Sequence, residues 1–137
     1  MPCAPRDTAM ARILIIDDSE VIRNLLEEYL TDAGYEVETA CDGREGIDRA
    51  LGGDFDVAFC DIHMPHKNGY QVFREVRRRK PGMAFIMTDS LPDQLAEMAQ
   101  NEGAHCCLTK PFDLNQVRRV LETLLAKAPG DERYVKD

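Results

Sequence analysis

Five side chains have types and positions suited to phosphoryl chemistry. Asp17 and Asp18 directly follow one short apolar run, Asp61 ends a second, Thr88 follows a third and Lys110 follows a fourth. Short apolar runs bounded by turn signals read as fully buried strands, and an acid at the end of such a strand sits at the rim of a sheet. Taken alone, Asp61 is a turn-forming residue that ends a strand. In company it is more. Three carboxylates at the rim of an apolar core repel one another unless a cation intervenes. A hard divalent ion with oxygen ligands resolves that repulsion, and a few carboxylates plus water favour Mg2+. Beside such an ion Asp61 becomes a nucleophile that forms an acyl phosphate. Lys110 neutralises the equatorial oxygens and the Thr88 hydroxyl donates to one of them.

The elements that must position these residues alternate along the chain. Arg12 to Ile16 reads as strand one, and Ser19 caps a helix with Val21, Ile22, Leu25, Leu26, Tyr29, Leu30 and Ala33 on one stripe, closed by Gly34. Tyr35 to Ala40 is strand two; Asp42 with Glu45 forms a capping-box pattern for a helix ending near Leu51. Val57 to Cys60 is strand three, and Asn68-Gly69 opens a third helix with Val72, Phe73 and Val76 inward, stopped by Pro81-Gly82. Met83 to Met87 is strand four; Pro92 marks the start of a fourth helix carrying Leu91, Leu95, Met98 and Ala99, ended by Gly103. Ala104 to Leu108 is strand five, and Asp113 with Gln116 forms a capping box for a fifth helix through Leu125. Five βα units in series predict an α/β fold, a doubly wound, flavodoxin-like (βα)5 with a five-stranded parallel sheet and right-handed crossovers. In the order 2-1-3-4-5, strands one and three meet at the topological switch point, and all five chemical residues share one edge.

At 137 residues the chain has the size of one domain. Residues 1–10, with two prolines and no periodicity, read as a disordered arm, 11–127 as the folded domain and 128–137 as a flexible polar tail. A net charge of −8 opposes nucleic-acid binding and an anionic membrane surface. No apolar run approaches a membrane span and no signal-peptide core is seen, so the expectation is a cytoplasmic protein. Cys3, Cys41, Cys60, Cys106 and Cys107 form no C-x-x-C pair and read as reduced thiols; Cys106 and Cys107, adjacent in a strand, face opposite ways. His63 and His66 lack cysteine or carboxylate partners at zinc-like spacing and are not read as a metal site. Arg77 to Lys80 reads as a solvated helix end.

With these residues in place, the chain resembles a response-regulator receiver domain of two-component signalling, in its stand-alone, chemotaxis-regulator-like form. The resemblance rests on Asp17-Asp18, the stretch Asp61-Ile62-His63-Met64-Pro65, Thr88 and Lys110-Pro111-Phe112, and covers about Ala11 to Lys127. It implies that Asp61 accepts phosphate from the phosphohistidine of a sensor histidine kinase or a histidine phosphotransfer protein. It implies that Asp17, Asp18 and Asp61 bind Mg2+, with the backbone carbonyl of His63 a further ligand. It also implies that Thr88 moves toward the phosphate and reshapes the face made by helix four, strand five and helix five. A downstream protein target then reads that face, near Cys107, Arg118 and Arg119. Such a protein regulates, and catalyses only its own phosphoryl transfer and dephosphorylation.

Three positions depart from the family's pattern. Cys107 stands where a Tyr or Phe that swings inward is general, and a cysteine cannot act as that bulky rotor. Asp89 stands where a small residue follows the Thr, and the expectation is extra negative charge near the entering phosphoryl group. His63, two past the nucleophile, is placed to touch the phosphate or an attacking water. Asp89 and Cys107 keep open an alternative, a phosphorylation-independent interaction module on the same fold. A haloacid-dehalogenase-type phosphatase needs a second Asp where Ser19 stands, and a flavodoxin needs a hydroxyl- and glycine-rich loop where Asp17-Asp18 stand; no P-loop or G-x-G-x-x-G is present.

Overall fold

A computed structural model describes residues 11–90 and 93–126. Its strands are β1 (Arg12–Ile16), β2 (Glu36–Ala40), β3 (Val57–Asp61), β4 (Ala84–Asp89) and β5 (Cys106–Thr109). Its helices are α1 (Glu20–Asp32), α2 (Gly43–Gly52), α3 (Gly69–Arg79), α4 (Gln94–Asn101) and α5 (Leu114–Ala126). All strand pairings are parallel, and the sheet order is β2-β1-β3-β4-β5, as the alternating pattern predicts. The arm over 1–10, Leu91 and Pro92, and the tail over 128–137 lie outside the described residues.

The near-continuous apolar strands are covered on both faces because alternate side chains feed two cores. Leu14, Ile16, Ala58, Cys60, Phe85 and Met87 pack with Val72, Phe73, Val76, Ala96 and Ala99, under the layer of α2, α3 and α4. Ile13, Ile15, Val57, Phe59, Ile86 and Leu108 pack with Leu26, Leu30, Val117 and Leu121, under α1 and α5. The α1 stripe is narrower than its apolar content suggests: Leu26 and Leu30 are buried, while Val21 is 75% and Leu25 40% exposed.

The helix ends follow local chemistry. The Ile22 N–H donates to Ser19 Oγ at 3.3 Å, and Gly34 follows α1 at φ 103°, in the left-handed region that suits glycine. Asp42 accepts from the Glu45 N–H as expected, but the Glu45 carboxylate accepts from the N–H of Cys41, one residue outside the cap. The full reciprocal box belongs to α3, where Asn68 and Gln71 each accept from the other's backbone N–H at 2.9 Å. At α5, Asp113 accepts from the Asn115 N–H at 2.9 Å. The cap of α4 is Asp93, which accepts from the Leu95 and Ala96 N–H groups. β3 and β4 run longer than the apolar runs indicate and take in Asp61, Thr88 and Asp89, because the ladder continues past the last apolar side chain.

Phe59 lies on the central strand β3 and is 2% exposed. Truncation by Phe59→Ala is expected to cost about 3–5 kcal/mol in urea unfolding. A loss below about 1 kcal/mol would mean that the α1/α5 layer does not rest on this ring.

Candidate functional site

Strand parity and register build the site. Asp61 shares its strand face with Val57 and Phe59, and Thr88 shares its face with Ile86, so both belong to the α1/α5 side. They are direct partners across the β3–β4 ladder, tied by the Ile62 N–H donating to the Thr88 carbonyl at 2.9 Å. Asp17 extends β1 beside them, its N–H bonded to the Ala40 carbonyl at 3.1 Å. Its side chain is fixed by the Ser19 N–H, which donates to Oδ1 at 2.9 Å, while Arg23 donates to the Asp17 carbonyl at 2.8 Å. Lys110 follows β5, its N–H bonded to the Asp89 carbonyl at 2.8 Å.

These placements bring five sequence-predicted residues to one edge. Asp17, Asp18 and Asp61 each offer a carboxylate oxygen, and the three oxygens lie within 4.8 Å of one another. Lys110 Nζ lies 2.8 Å from Asp17 Oδ2 and 3.4 Å from Asp61 Oδ1. Asp17 and Asp61 are buried, Thr88 is buried and Asp18 is exposed. Burial is the main force on Asp61; with the Asp17 and Asp18 charges it outweighs Lys110 and pushes the Asp61 carboxyl up to about 7. Burial opposes the Lys110 ammonium as well, but the hydrogen bond it donates to Asp17 and the charges of Asp17 and Asp61 hold its pKa above the ordinary value.

A family model described as the response regulator receiver domain matches residues 13–122. The chain belongs to this family. It is 29% identical over 120 residues to the response regulator ArlR of Staphylococcus aureus, an alignment covering 88% of this chain and 55% of ArlR. The chain thus spans about half the length of the curated relatives it matches. Among solved structures it resembles the chemotaxis protein CheY4 of Vibrio cholerae, at 34% identity and a TM-score of 0.79, covering 85% of this chain and 99% of that one. It also resembles the response regulator TrrA of Thermotoga maritima, solved in complex with Mg(2+)-BeF, at 31% identity and a TM-score of 0.78, covering 85% and 100%. This is therefore a receiver domain of two-component signalling with the flavodoxin-like fold. Among the described residues no helix is long and apolar enough to cross a membrane.

The acidic trio of this receiver domain fits a divalent cation on its own chemistry. Three oxygen donors converge, one of them from a carboxyl whose proton affinity is raised by burial and by its neighbours' negative charge, and a hard cation offsets both.

The three unusual positions lie elsewhere. Asp89 is one past Thr88 on β4, so its side chain turns to the opposite face, with Phe85 and Met87, and is fully buried. Its charge meets the exposed His63, whose Nε2 lies 3.6 Å from Asp89 Oδ1 and 2.9 Å from Asp93 Oδ2. Cys107 packs half-buried on the same face as Asp89, and burial, followed by the charges of Asp89, Cys106 and Asp93, pushes its thiol up to about 11. Cys106 packs on the other face, as adjacent strand residues should.

Residue types in sequence missed three supports. Ser19 and Arg23 orient Asp17, although Ser19 was legible only as a cap. Gly69 lies against the Asp61 backbone: a Cβ there would sit 2.3 Å from the Asp61 carbonyl oxygen and 2.9 Å from Ile62 Cα. The Asn68-Gly69 pair signals a helix start, but this close approach depends on how α3 crosses β3.

Because the folded Asp61 carboxyl holds its proton more tightly than an unfolded one, the native state binds more protons between about pH 4 and pH 7, and stability falls as pH rises through that window. Asp61→Asn removes the penalty. In metal-free protein its stabilising effect is expected to grow from pH 4 to pH 7 and level off above, reaching a few kcal/mol by chemical denaturation. An effect independent of pH would show that Asp61 does not carry the strain.

Proposed function

We propose that this receiver domain is a Mg2+-dependent phosphoacceptor switch in which Asp61 takes a phosphoryl group from the phosphohistidine of a sensor histidine kinase or histidine phosphotransfer protein. The observation that carries the reading is the grouping of Asp61 with two further carboxylates and the Lys110 ammonium at 3.4 Å. Asp17, Asp18 and Asp61 would hold the ion together with the backbone carbonyl of His63. When bound, Mg2+ supplies positive charge that offsets the transferring phosphoryl oxygens.

An Asp61 carboxylate oxygen forms the new P–O bond as the P–N bond of the donor breaks. The electron pair of the broken bond stays on the departing imidazole, already protonated on its other nitrogen. Lys110, held by Asp17, presents its ammonium to the same oxygens, and the Thr88 hydroxyl, directly across the ladder, donates to one of them. Attack of water on phosphorus later returns the Asp61 carboxylate and inorganic phosphate. Thr88 pairs with Leu108 of β5, so its movement toward the phosphate changes the α4–β5–α5 face, where a downstream protein target binds near Cys107, Arg118 and Arg119. The acidic charge supports protein partners over nucleic acid, and a cytoplasmic setting suits a kinase-fed relay.

Incubating the full chain with a small acyl-phosphate donor and following intact mass tests the reading. One phosphoryl group is expected in wild type with Mg2+, none after chelation and none in Asp61→Asn. Lys110→Ala is expected to slow modification by about 10²–10³-fold. Failure of both a small donor and purified kinases to modify the wild-type chain would instead support a phosphorylation-independent interaction module.

A further inference from the structure

On the sheet face opposite Asp61, three ligand-type side chains from three elements converge: His63 from the loop after β3, Asp89 from the end of β4 and Asp93 from the cap of α4. The three ligand atoms lie within 4.8 Å of one another, with His63 Nε2 2.9 Å from Asp93 Oδ2 and 3.6 Å from Asp89 Oδ1. An ion with bonds of about 2.0–2.1 Å sets neighbouring ligand atoms about 2.9 Å apart in octahedral and about 3.4 Å apart in tetrahedral coordination. The two His63 separations bracket that range, and the third pair lies within 4.8 Å, so adjustment of the exposed His63 and Asp93 side chains lets one ion touch all three atoms.

The surroundings are those of a supported site. Asp93 gives one oxygen, Oδ1, to the Leu95 and Ala96 N–H groups, which fixes the carboxylate and presents Oδ2 to His63. Despite some desolvation, those backbone donors and His63 hold Asp93 below the usual carboxylate range, so it is charged at neutral pH. Asp89 has no solvent exposure, and a carboxylate at that depth favours a neighbouring positive charge. His63 and Asp93 are exposed, which leaves a path for entry.

We propose that His63, Asp89 and Asp93 form a second divalent-metal site, separate from the Asp17–Asp18–Asp61 trio, that takes a transition-metal ion of the Zn2+ class through one imidazole nitrogen and two carboxylate oxygens. The donor set makes the choice. Imidazole suits Zn, Ni, Co and Cu, whereas Mg2+ takes oxygen ligands, so the two sites sort their ions by chemistry. An ion there pins the loop after β3 to the start of α4. The site stands independently of the phosphoacceptor reading.

Calorimetric titration of the full chain with Zn2+, in saturating Mg2+ to occupy the acidic trio, tests the site. Wild type is expected to bind one Zn2+, and Asp61→Asn to bind it equally well. His63→Ala, at an exposed side chain, and Asp93→Asn, which keeps a capping side chain, are each expected to weaken binding by about tenfold or more. With Co2+ as the probe, the visible absorption of the wild-type complex is expected to be lost in His63→Ala. Zn2+ binding as tight in both variants as in wild type would place the ion elsewhere, for example on the exposed Cys41, and overturn the proposal. Absence of Zn2+ binding in wild type would overturn it equally.

Discussion

The Lys110 ammonium lies 2.8 Å from Asp17 and 3.4 Å from Asp61, and the rest of the site is arranged around that contact. Asp61 is pressed against a buried neighbour and an exposed one of its own charge, at the rim of an apolar core where separation by water is poor. Burial and this repulsion together outweigh the one lysine and push the Asp61 carboxyl up to about 7. The folded chain therefore stores an electrostatic cost at the edge of its sheet, which a bound cation would release. Parallel strands make this possible, because only they deliver every carboxyl end to one rim.

The same strands keep two chemistries apart by alternation. Asp61 and Thr88 face α1 and α5, whereas Asp89 and Cys107 face the layer of α3 and α4. A second polar group, with His63 and Asp93, thus sits one residue away along the backbone and on the other side of the sheet. It occupies the junction between the loop after Asp61 and the start of α4. Position 107, with its small, firmly protonated thiol, offers no ring to turn there, so the polar group is the bulkier link between those elements.

Much of this was legible in sequence because the decisive residues end strands. Asp17, Asp18, Asp61, Thr88 and Lys110 each sit at or just past an apolar run, and a parallel order alone brings such positions together. The direction of Asp89 was also available, since period-two alternation from Thr88 turns it away from Asp61, yet its neighbourhood in sequence suggested the opposite. The pairing of His63 with Asp93 was not available: thirty residues separate them and the contact exists only because α4 starts over the loop after β3. Gly69 was similarly hidden, because its need for a missing side chain comes from backbone packing across two elements.

Proton release on Mg2+ binding tests the central claim, that the strained Asp61 carboxyl is what the cation relieves. Calorimetry at pH 7 in buffers of different ionisation enthalpy is predicted to show about half a proton released per Mg2+, falling toward zero by pH 9 and absent in Asp61→Asn. Mg2+ binding with no proton release at pH 7 would contradict the account.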